Sequence, residues 1–315
     1  MRYVVTGSAG FIGRHVCAEL LAQGHNVAGI DSFTDYYDVA IKRANAEWLA
    51  SHARYRAVEL DIASGPLDDE LAGSDAVIHL AGQPGVRLSW NEYFHVYVER
   101  NIVASQRVLE AARRTGVGRV VLASSSSVYG NAPEYPTTED SPTRPYSPYG
   151  VTKLAMEQLA WAYAENWSVP VTVLRYFTVY GPWQRPDMGM HRFIARAAAG
   201  EPVTVYGDGE QVRDFTYVTD AAAATVAAAT ADVPPGSLFN VAGGASSTVN
   251  NVLELVAENV GSEVITQREP EQPGDVRVTG GSIDCARRIL GWKPAVPLAE
   301  GIKRQVVQQL GGDLG

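Results

Sequence analysis

Residues 3–31 constrain the fold more than any other stretch of the chain. A β-rich run, Tyr3–Thr6, leads into Thr6-Gly7-Ser8-Ala9-Gly10-Phe11-Ile12-Gly13 and then into an apolar-periodic stretch to Leu21. A second β-rich run, Asn26–Ile30, ends on Asp31. Glycines at 7, 10 and 13 permit a tight strand-to-helix turn, with backbone N–H groups and the helix N-terminus free to face a pyrophosphate. A carboxylate at the end of the second strand can hold the ribose hydroxyls of an adenosine and repel a 2′-phosphate. No arginine directly follows Asp31, so the pattern favours NAD over NADP.

A turn of this kind belongs in a sheet of parallel strands crossed by helices, and the rest of the first half supplies them. The spacing predicts strands at Tyr3–Thr6, Asn26–Ile30, Tyr55–Glu59, Ala76–Leu80, Arg119–Ala123 and Val171–Arg175, with helices at Phe11–Leu21, Tyr93–Arg114 and Tyr149–Asn166. Runs such as Val120-Val121-Leu122-Ala123 are apolar throughout, as strands covered by helices on both faces must be. The expected architecture is α/β: a doubly wound parallel (Rossmann) sheet with a smaller C-terminal lobe. Proline and glycine become frequent after residue 180, which places the sheet domain at 1–180, with parts of 215–245 returning to it, and the lobe mainly at 181–315. Ala221–Ala229 reads as a tightly packed helix, too short to span a bilayer.

Composition narrows the partners. A chain of 315 residues with 46% hydrophobic and 19% charged residues can bury a substantial core. Its net charge of −9 argues against nucleic acid or an anionic membrane as the main partner. Cys17 and Cys285 form neither a disulfide framework nor a metal knuckle, and the first strand starts almost at once with no charged leader, so a soluble cytoplasmic protein is expected. The six histidines show no paired ligand spacing, and no metal is expected. Asp35-Tyr36-Tyr37-Asp38 reads as a loop around the adenosine end.

Lysine is scarce: Lys42, Lys153, Lys293 and Lys303 are the full set. That makes Tyr149 and Lys153, four apart at the start of a predicted helix and so on one face, a discriminating pair. Fifteen tyrosines and four lysines give about 0.2 such pairs by chance. A nearby ammonium favours phenolate over phenol and draws a tyrosine towards use as a general base. Ser124-Ser125-Ser126-Ser127, at the carboxyl end of the fifth strand, faces the crevice where open α/β sheets bind ligands; it reads either as a set of hydroxyl donors or as a polar strand exit.

Together these residues resemble the extended short-chain dehydrogenase/reductase family, and within it the NAD-dependent nucleotide-sugar epimerases and dehydratases. The resemblance runs through Leu60-Asp61-Ile62, His79-Leu80-Ala81-Gly82, Asn101, and Arg175-Tyr176-Phe177-Thr178-Val179-Tyr180-Gly181-Pro182. It continues through Tyr206 to Gly209, Gln211-Val212-Arg213-Asp214-Phe215 and Pro273-Gly274-Asp275. It implies a cofactor site of Gly7, Gly10, Phe11, Ile12, Gly13, Asp31, Ser32, Asp61, Ile62, Leu80, Ala81, Gly82, Asn101, Ser124, Tyr149, Lys153 and Tyr176. It implies catalysis by Tyr149, Lys153 and Ser125, and a nucleotide-sugar site of Arg87, Ser125, Ser126, Ser127, Tyr149, Thr178, Arg185, Gln211, Arg213, Gln272 and Asp275. It also implies a homodimer through the helices at 93–114 and 149–166.

The subgroup turns on positions 125–127. The family's 4,6-dehydratases carry threonine, aspartate and glutamate there, and the related uronate decarboxylases a glutamate at the last position; here all three are serine. Both reactions are disfavoured, leaving 4-epimerization through a transient 4-keto sugar and enzyme-bound NADH. Gln83 to Arg87, the serine run and Thr178 to Met188 are similar to UDP-glucuronate 4-epimerases, whose substrate carboxylate wants hydroxyl donors and no neighbouring acid. Gly82 and Pro84 stand where that group usually has alanine. A neutral UDP-glucose/UDP-galactose 4-epimerase would carry the same catalytic set, whereas a catalytically silent NAD-binding regulator of this family generally lacks the tyrosine or the lysine, and both Tyr149 and Lys153 stand here.

Overall fold

The computed structural model describes residues 1–244 and 246–312. Its first half alternates β1 (Arg2–Thr6), α1 (Phe11–Ala22), β2 (Asn26–Asp31), α2 (Val39–Ala50), β3 (Tyr55–Glu59), α3 (Asp68–Leu71) and β4 (Ala76–His79). There follow α4 (Phe94–Tyr97), α5 (Ala104–Thr115), β5 (Val120–Ser125), α6 (Pro148–Trp167) and β6 (Val171–Tyr176). The remaining elements are β7 (Thr178–Tyr180), α7 (Gly189–Ala198), β8 (Val203–Tyr206), β9 (Val212–Tyr217), α8 (Val218–Thr230), β10 (Ser237–Val241), β11 (Ser246–Thr248), α9 (Val249–Val260), β12 (Thr266–Glu269), α10 (Asp284–Leu290) and α11 (Leu298–Gln309).

Seven strands form one parallel sheet in the order β10-β6-β5-β4-β1-β2-β3, so the chain reverses its winding between β1 and β4. Alternation along each strand feeds both faces. Tyr3, Val5 and Val121 enter a core with α1 and α8, whereas Val4, Val120 and Leu122 enter one with α5 and α6. Alanine lets α8 approach closely: Ala221, Ala224 and Ala228 are fully buried against α1 and the sheet. A third core gathers Tyr180, Tyr217, Met190, Ile194, Val252, Val256, Ile302 and Val306 from β7, β9, α7, α9 and α11. Two small sheets, β11-β9-β7 and β12-β8, sit among these elements.

The helix expected at 93–114 is present as one run over 94–115, but it is not regular α-helix throughout. Asn91 takes a left-handed φ of 60°, α4 lasts four residues, and Val98–Val103 widens into a π-helical stretch before α5 begins. The reason is Asn101. Its side-chain amide reaches back to the backbone of Gln83, accepting from Gln83 N at 2.7 Å and donating to Gln83 O at 3.0 Å, and also donates to Thr152 Oγ1 at 3.0 Å. A π-bulge trades helical regularity for that placement. Strand ends also differ slightly: β4 stops at His79, while β5 runs to Ser125 and β6 to Tyr176.

Candidate active site

At the β1/β4 reversal the carboxyl ends of the strands open into one cleft of about 850 Å³. Its first wall is the glycine turn. Gly7 has φ +70°, and a Cβ at Gly13 would overlap the Gly7 carbonyl oxygen and stand 2.9 Å from Ser8 Cα, so only glycine lets the helix start close on the strand. Gly10 caps α1 without a side-chain bond, leaving first-turn N–H groups free for an anion. Asp31 is held by Ala9 N at 3.1 Å and Phe33 N at 2.9 Å. Turn, open helix start and carboxylate fit a dinucleotide bearing a free ribose 2′-hydroxyl.

The second wall is fixed by a buried relay. Ser105 Oγ donates to the Asn101 carbonyl at 2.6 Å, so it accepts from His79 Nε2 at 3.1 Å, and His79 Nδ1 in turn accepts from Thr6 Oγ1 at 2.7 Å. Thr6 Oγ1 also takes the Ala81 N–H at 3.3 Å. Burial drives His79 down to about 3, keeping it the neutral tautomer that this chain needs. The relay seats Leu80, Ala81 and Gly82 at the cleft, and Gly82 leaves room where a Cβ would stand 2.7 Å from Asn101 Oδ1.

The floor combines β5 and α6. Ser147 caps α6 by accepting from Gly150 N at 3.1 Å, and Pro148 sits at the first helical position, which presents Tyr149 and Lys153 one turn apart. Lys153 Nζ donates to Ala123 O at 2.8 Å and lies 5.9 Å from the Tyr149 ring centre. Burial pushes Lys153 down to about 8, opposed by the Glu157 charge. Burial also raises Tyr149, opposed by its Ser125 bond and the Arg185 charge. Desolvation is thus the leading influence on the Tyr149 phenol, and the Ser125 hydroxyl and the Arg185 charge oppose it. Ser125 Oγ also meets Ser127 Oγ at 3.1 Å.

All but two of the sequence-predicted residues line this one cleft. Gly7, Gly10, Phe11, Ile12, Gly13, Asp31, Ser32, Asp61, Ile62, Leu80 to Gly82, Ser124, Tyr149, Lys153 and Tyr176 occupy one end. Ser125 to Ser127, Thr178, Arg185, Arg87, Gln211, Arg213 and Asp275 occupy the other. Asn101 stands behind the wall as a backbone brace, and Gln272 lies half-buried outside the lining, donating to Pro270 O at 3.2 Å. In the far end Arg87 pairs with Asp275 at 3.0 Å and covers the Tyr206 ring at 4.0 Å. Among the described residues, Arg213 donates only to the carbonyls of Val212 and Arg277, and Gln211 Oε1 is buried without a partner. Sequence reasoning passed over Lys42, Arg100, Asp187 and Tyr206, which also line the cleft. Lys42 stands on α2, Arg100 in the π-helical stretch, Tyr206 at the end of β8 and Asp187 in the loop before α7; Tyr206 and Asp187 fall within stretches that carry the family resemblance, and lysine scarcity is the one signal for Lys42.

Comparison with known proteins agrees with this geometry. The model of the NAD dependent epimerase/dehydratase family matches residues 3–242. The chain belongs to that family. UDP-glucuronate 4-epimerase of Thermodesulfobacterium geofontis is 38% identical over 311 residues, covering 96% of this chain and 94% of that protein. The crystal structure of UDP-glucuronic acid 4-epimerase from Bacillus cereus, in complex with UDP-glucuronic acid and NAD, superposes with a TM-score of 0.95 at 37% identity, covering 98% and 99% of the two chains. MoeE5, solved with NAD and either UDP-glucuronic acid or UDP-glucose, gives 0.89 at 40% identity over 98% and 99%. Family membership makes the cleft an NAD site in a nucleotide-sugar epimerase fold.

Proposed function

We propose that the protein interconverts UDP-glucuronate and UDP-galacturonate by epimerization at C4. The observation that carries this reading is the set of hydroxyls at Ser125, Ser126, Ser127 and Thr178 in the cleft near Tyr149, with Arg185 beside them and no acidic residue within the serine run. Hydroxyl and guanidinium donors suit a sugar carboxylate that a neighbouring acid would repel. NAD, held by the glycine turn and Asp31, would supply the hydride acceptor and donor for the sugar C4. Tyr149 Oη accepts the proton of the C4 hydroxyl and later gives it back, with Ser125 Oγ bonded to it as partner. Lys153 keeps a positive charge under the phenol, anchored on Ala123 O. Arg213, with no carboxylate in ion-pair reach among the described residues, holds the diphosphate while the sugar presents its opposite face. The serine and threonine donors hold the carboxylate out of line with the C4 carbonyl, which protects a β-keto acid from losing CO2.

MoeE5's complex with UDP-glucose supports a second reading, a neutral UDP-sugar 4-epimerase. Incubating the purified protein with UDP-glucuronate and, separately, UDP-glucose, with no added NAD, decides between them. UDP-galacturonate is expected; UDP-galactose alone favours the second reading, and UDP-xylose or a 4-keto pentose overturns epimerization in favour of decarboxylation. Tyr149→Phe should lose nearly all turnover.

The proposal extends to a cytoplasmic homodimer. Cys17 and Cys285 are both free. Helices α5 and α6 pack together and, with the end of the π-helical stretch, leave Val103, Val151, Trp161 and Trp167 exposed, an apolar area that a second copy of the same face would cover. A monomer by light scattering, or retention of the dimer in Trp161→Glu, would refute this interface. Among the described residues, no helix is long and apolar enough to cross a membrane.

A further inference from the structure

Arg14 directly follows the last glycine of the phosphate-binding turn, on the first turn of α1. It is only 6% exposed, yet among the described residues no carboxylate lies within ion-pair distance of it. A buried cation without an acid partner is costly unless something else stabilises it. Two indole rings do so. The guanidinium carbon lies 4.1 Å from the Trp48 ring centre and 4.2 Å from that of Trp183, a two-sided cation–π stack. One edge of the fork is fixed as well: Arg14 NH1 donates to Asn45 Oδ1 at 2.9 Å, and Asn45 Nδ2 donates to Ala9 O, inside the turn, at 2.9 Å.

The two rings belong to different parts of the molecule. Trp48 is on α2 of the nucleotide-binding half. Trp183 sits in the loop between β7 and α7, two residues before Arg185, with a left-handed φ of 60° that a bulky residue keeps only where its surroundings hold it. From the other side, α11 holds the same loop by side-chain amides. Gln308 Oε1 accepts from Trp183 N at 2.8 Å, Gln305 Oε1 accepts from Gly181 N at 2.8 Å, and Gln305 Nε2 donates to Gln184 Oε1 at 2.9 Å. Between these amides and the Arg14 stack, the backbone carrying Arg185 has little freedom.

We propose that Arg14 is a positioning residue: stacked between Trp48 and Trp183, it locks the substrate loop onto the first turn of the dinucleotide helix and thereby sets where Arg185 stands in the cleft. The inference rests on reading Arg185 as a substrate-binding residue. Lysine cannot replace arginine here, because a point ammonium does not stack flat between two rings.

The test combines hydrogen exchange with steady-state kinetics on the NAD-loaded protein. Arg14→Met keeps the alkyl packing and removes the fork; Trp183→Leu removes one ring, and Trp183→Phe keeps an aromatic partner. Arg14→Met and Trp183→Leu should each speed exchange in peptides covering 181–188 but not in those covering β6. Each should raise KM for UDP-glucuronate about 10-fold with kcat within about threefold, and Trp183→Phe should restore most of the affinity. Because both variants break the same stack, the double variant should be no worse than the poorer single one. Unchanged exchange at 181–188 in Arg14→Met, or effects that simply add in the double variant, would overturn the proposal. If the wild-type protein binds no nucleotide sugar, the functional reading fails, while the exchange arm still decides whether Arg14 holds the loop.

Discussion

Beneath the cleft floor, Glu157 and Arg175 form an ion pair with side chains 5% and 6% exposed. Arg175 donates from Nε at 2.9 Å and NH2 at 2.7 Å, and Ser124 Oγ donates to the same carboxylate. Arg175 NH1 continues to Tyr129 Oη at 2.8 Å, which donates to Asn240 Oδ1 at 2.7 Å, so the network ties β5, α6, β6 and β10. Replacing Glu157 with Gln keeps its shape but strands a buried guanidinium, which should cost roughly 3–5 kcal/mol. At roughly 2 °C per kcal/mol for a chain of this size, Tm should fall by roughly 6–10 °C. A second effect follows at the site. Glu157 supports the Lys153 ammonium against burial, so without it the Lys153 pKa drops below about 8. Loss of the Lys153 proton ends the electrostatic support of Tyr149, so the alkaline limb of kcat should move to lower pH. Thermal melts and a kcat profile from pH 6 to 10 test both. A Glu157→Gln variant with wild-type Tm and an unmoved alkaline limb would refute the reasoning.

Three further outcomes are expected. Gly13→Ala should purify with little bound NAD, measured by nucleotide release on denaturation, because its Cβ overlaps the Gly7 carbonyl. Ser127→Glu should lower kcat/KM for UDP-glucuronate at least about 10-fold more than for UDP-glucose, since a new carboxylate repels only the charged sugar; equal losses would remove Ser127 from the carboxylate pocket. His79 and His15 are held neutral by burial, down to about 3 and about 4, so they take up protons only on unfolding as pH falls below about 6.5. The stability they contribute is complete above that value and is lost by about 1.4 kcal/mol per histidine per pH unit towards pH 4, a slope that urea melts at pH 7.5 and 5.0 would detect.

Much of this molecule was legible because local sequence patterns coincide with global roles. The turn at 6–13 needs glycine for reasons visible in three residues, and a run such as Val120-Val121-Leu122 can only be a strand covered on both sides. What escaped reading depends on distant partners. Asn101 distorts a helix to satisfy the Gln83 backbone, a demand that exists only after β4 and α6 have come together. Arg14 looks like an ordinary surface cation of an amphipathic helix until Trp48 and Trp183, 34 and 169 residues away, close over it. The family likeness proposed substrate residues, most of which line the cleft, but not their pairing. Arg87 with Asp275 and Arg185 with Asp187 are ion pairs of the fold, and only the structure separates them from Arg213, which has no acid partner within reach among the described residues.

That separation also resolves an apparent conflict between charge and ligand. The chain carries a net charge of −9, yet eight cationic and four acidic side chains line the cleft among the described residues. Three of the four acids, Asp61, Asp187 and Asp275, already face an arginine, and the fourth, Asp31, is occupied by backbone N–H groups. With Arg196 paired to Glu201, the surplus is Lys42, Lys153, Arg192 and Arg213, cations without an acid partner among the described residues, inside a walled cleft where low dielectric strengthens their field and solvent screens it least. A diphosphate and a uronate carboxylate enter that field favourably although the exterior is acidic. The same field bears on the chemistry, since Tyr149 is raised by burial and must be brought down by charge. Arg185, although paired with Asp187, serves both purposes at once: in the pocket proposed for the sugar carboxylate, it also lowers the phenol that takes the proton. Filling the pocket with an anion offsets part of that help, so the Tyr149 pKa should rise when UDP-glucuronate binds and rise less with UDP-glucose. The acid limb of kcat would then lie at higher pH than that of kcat/KM for the uronate, and the gap would be smaller for the neutral sugar.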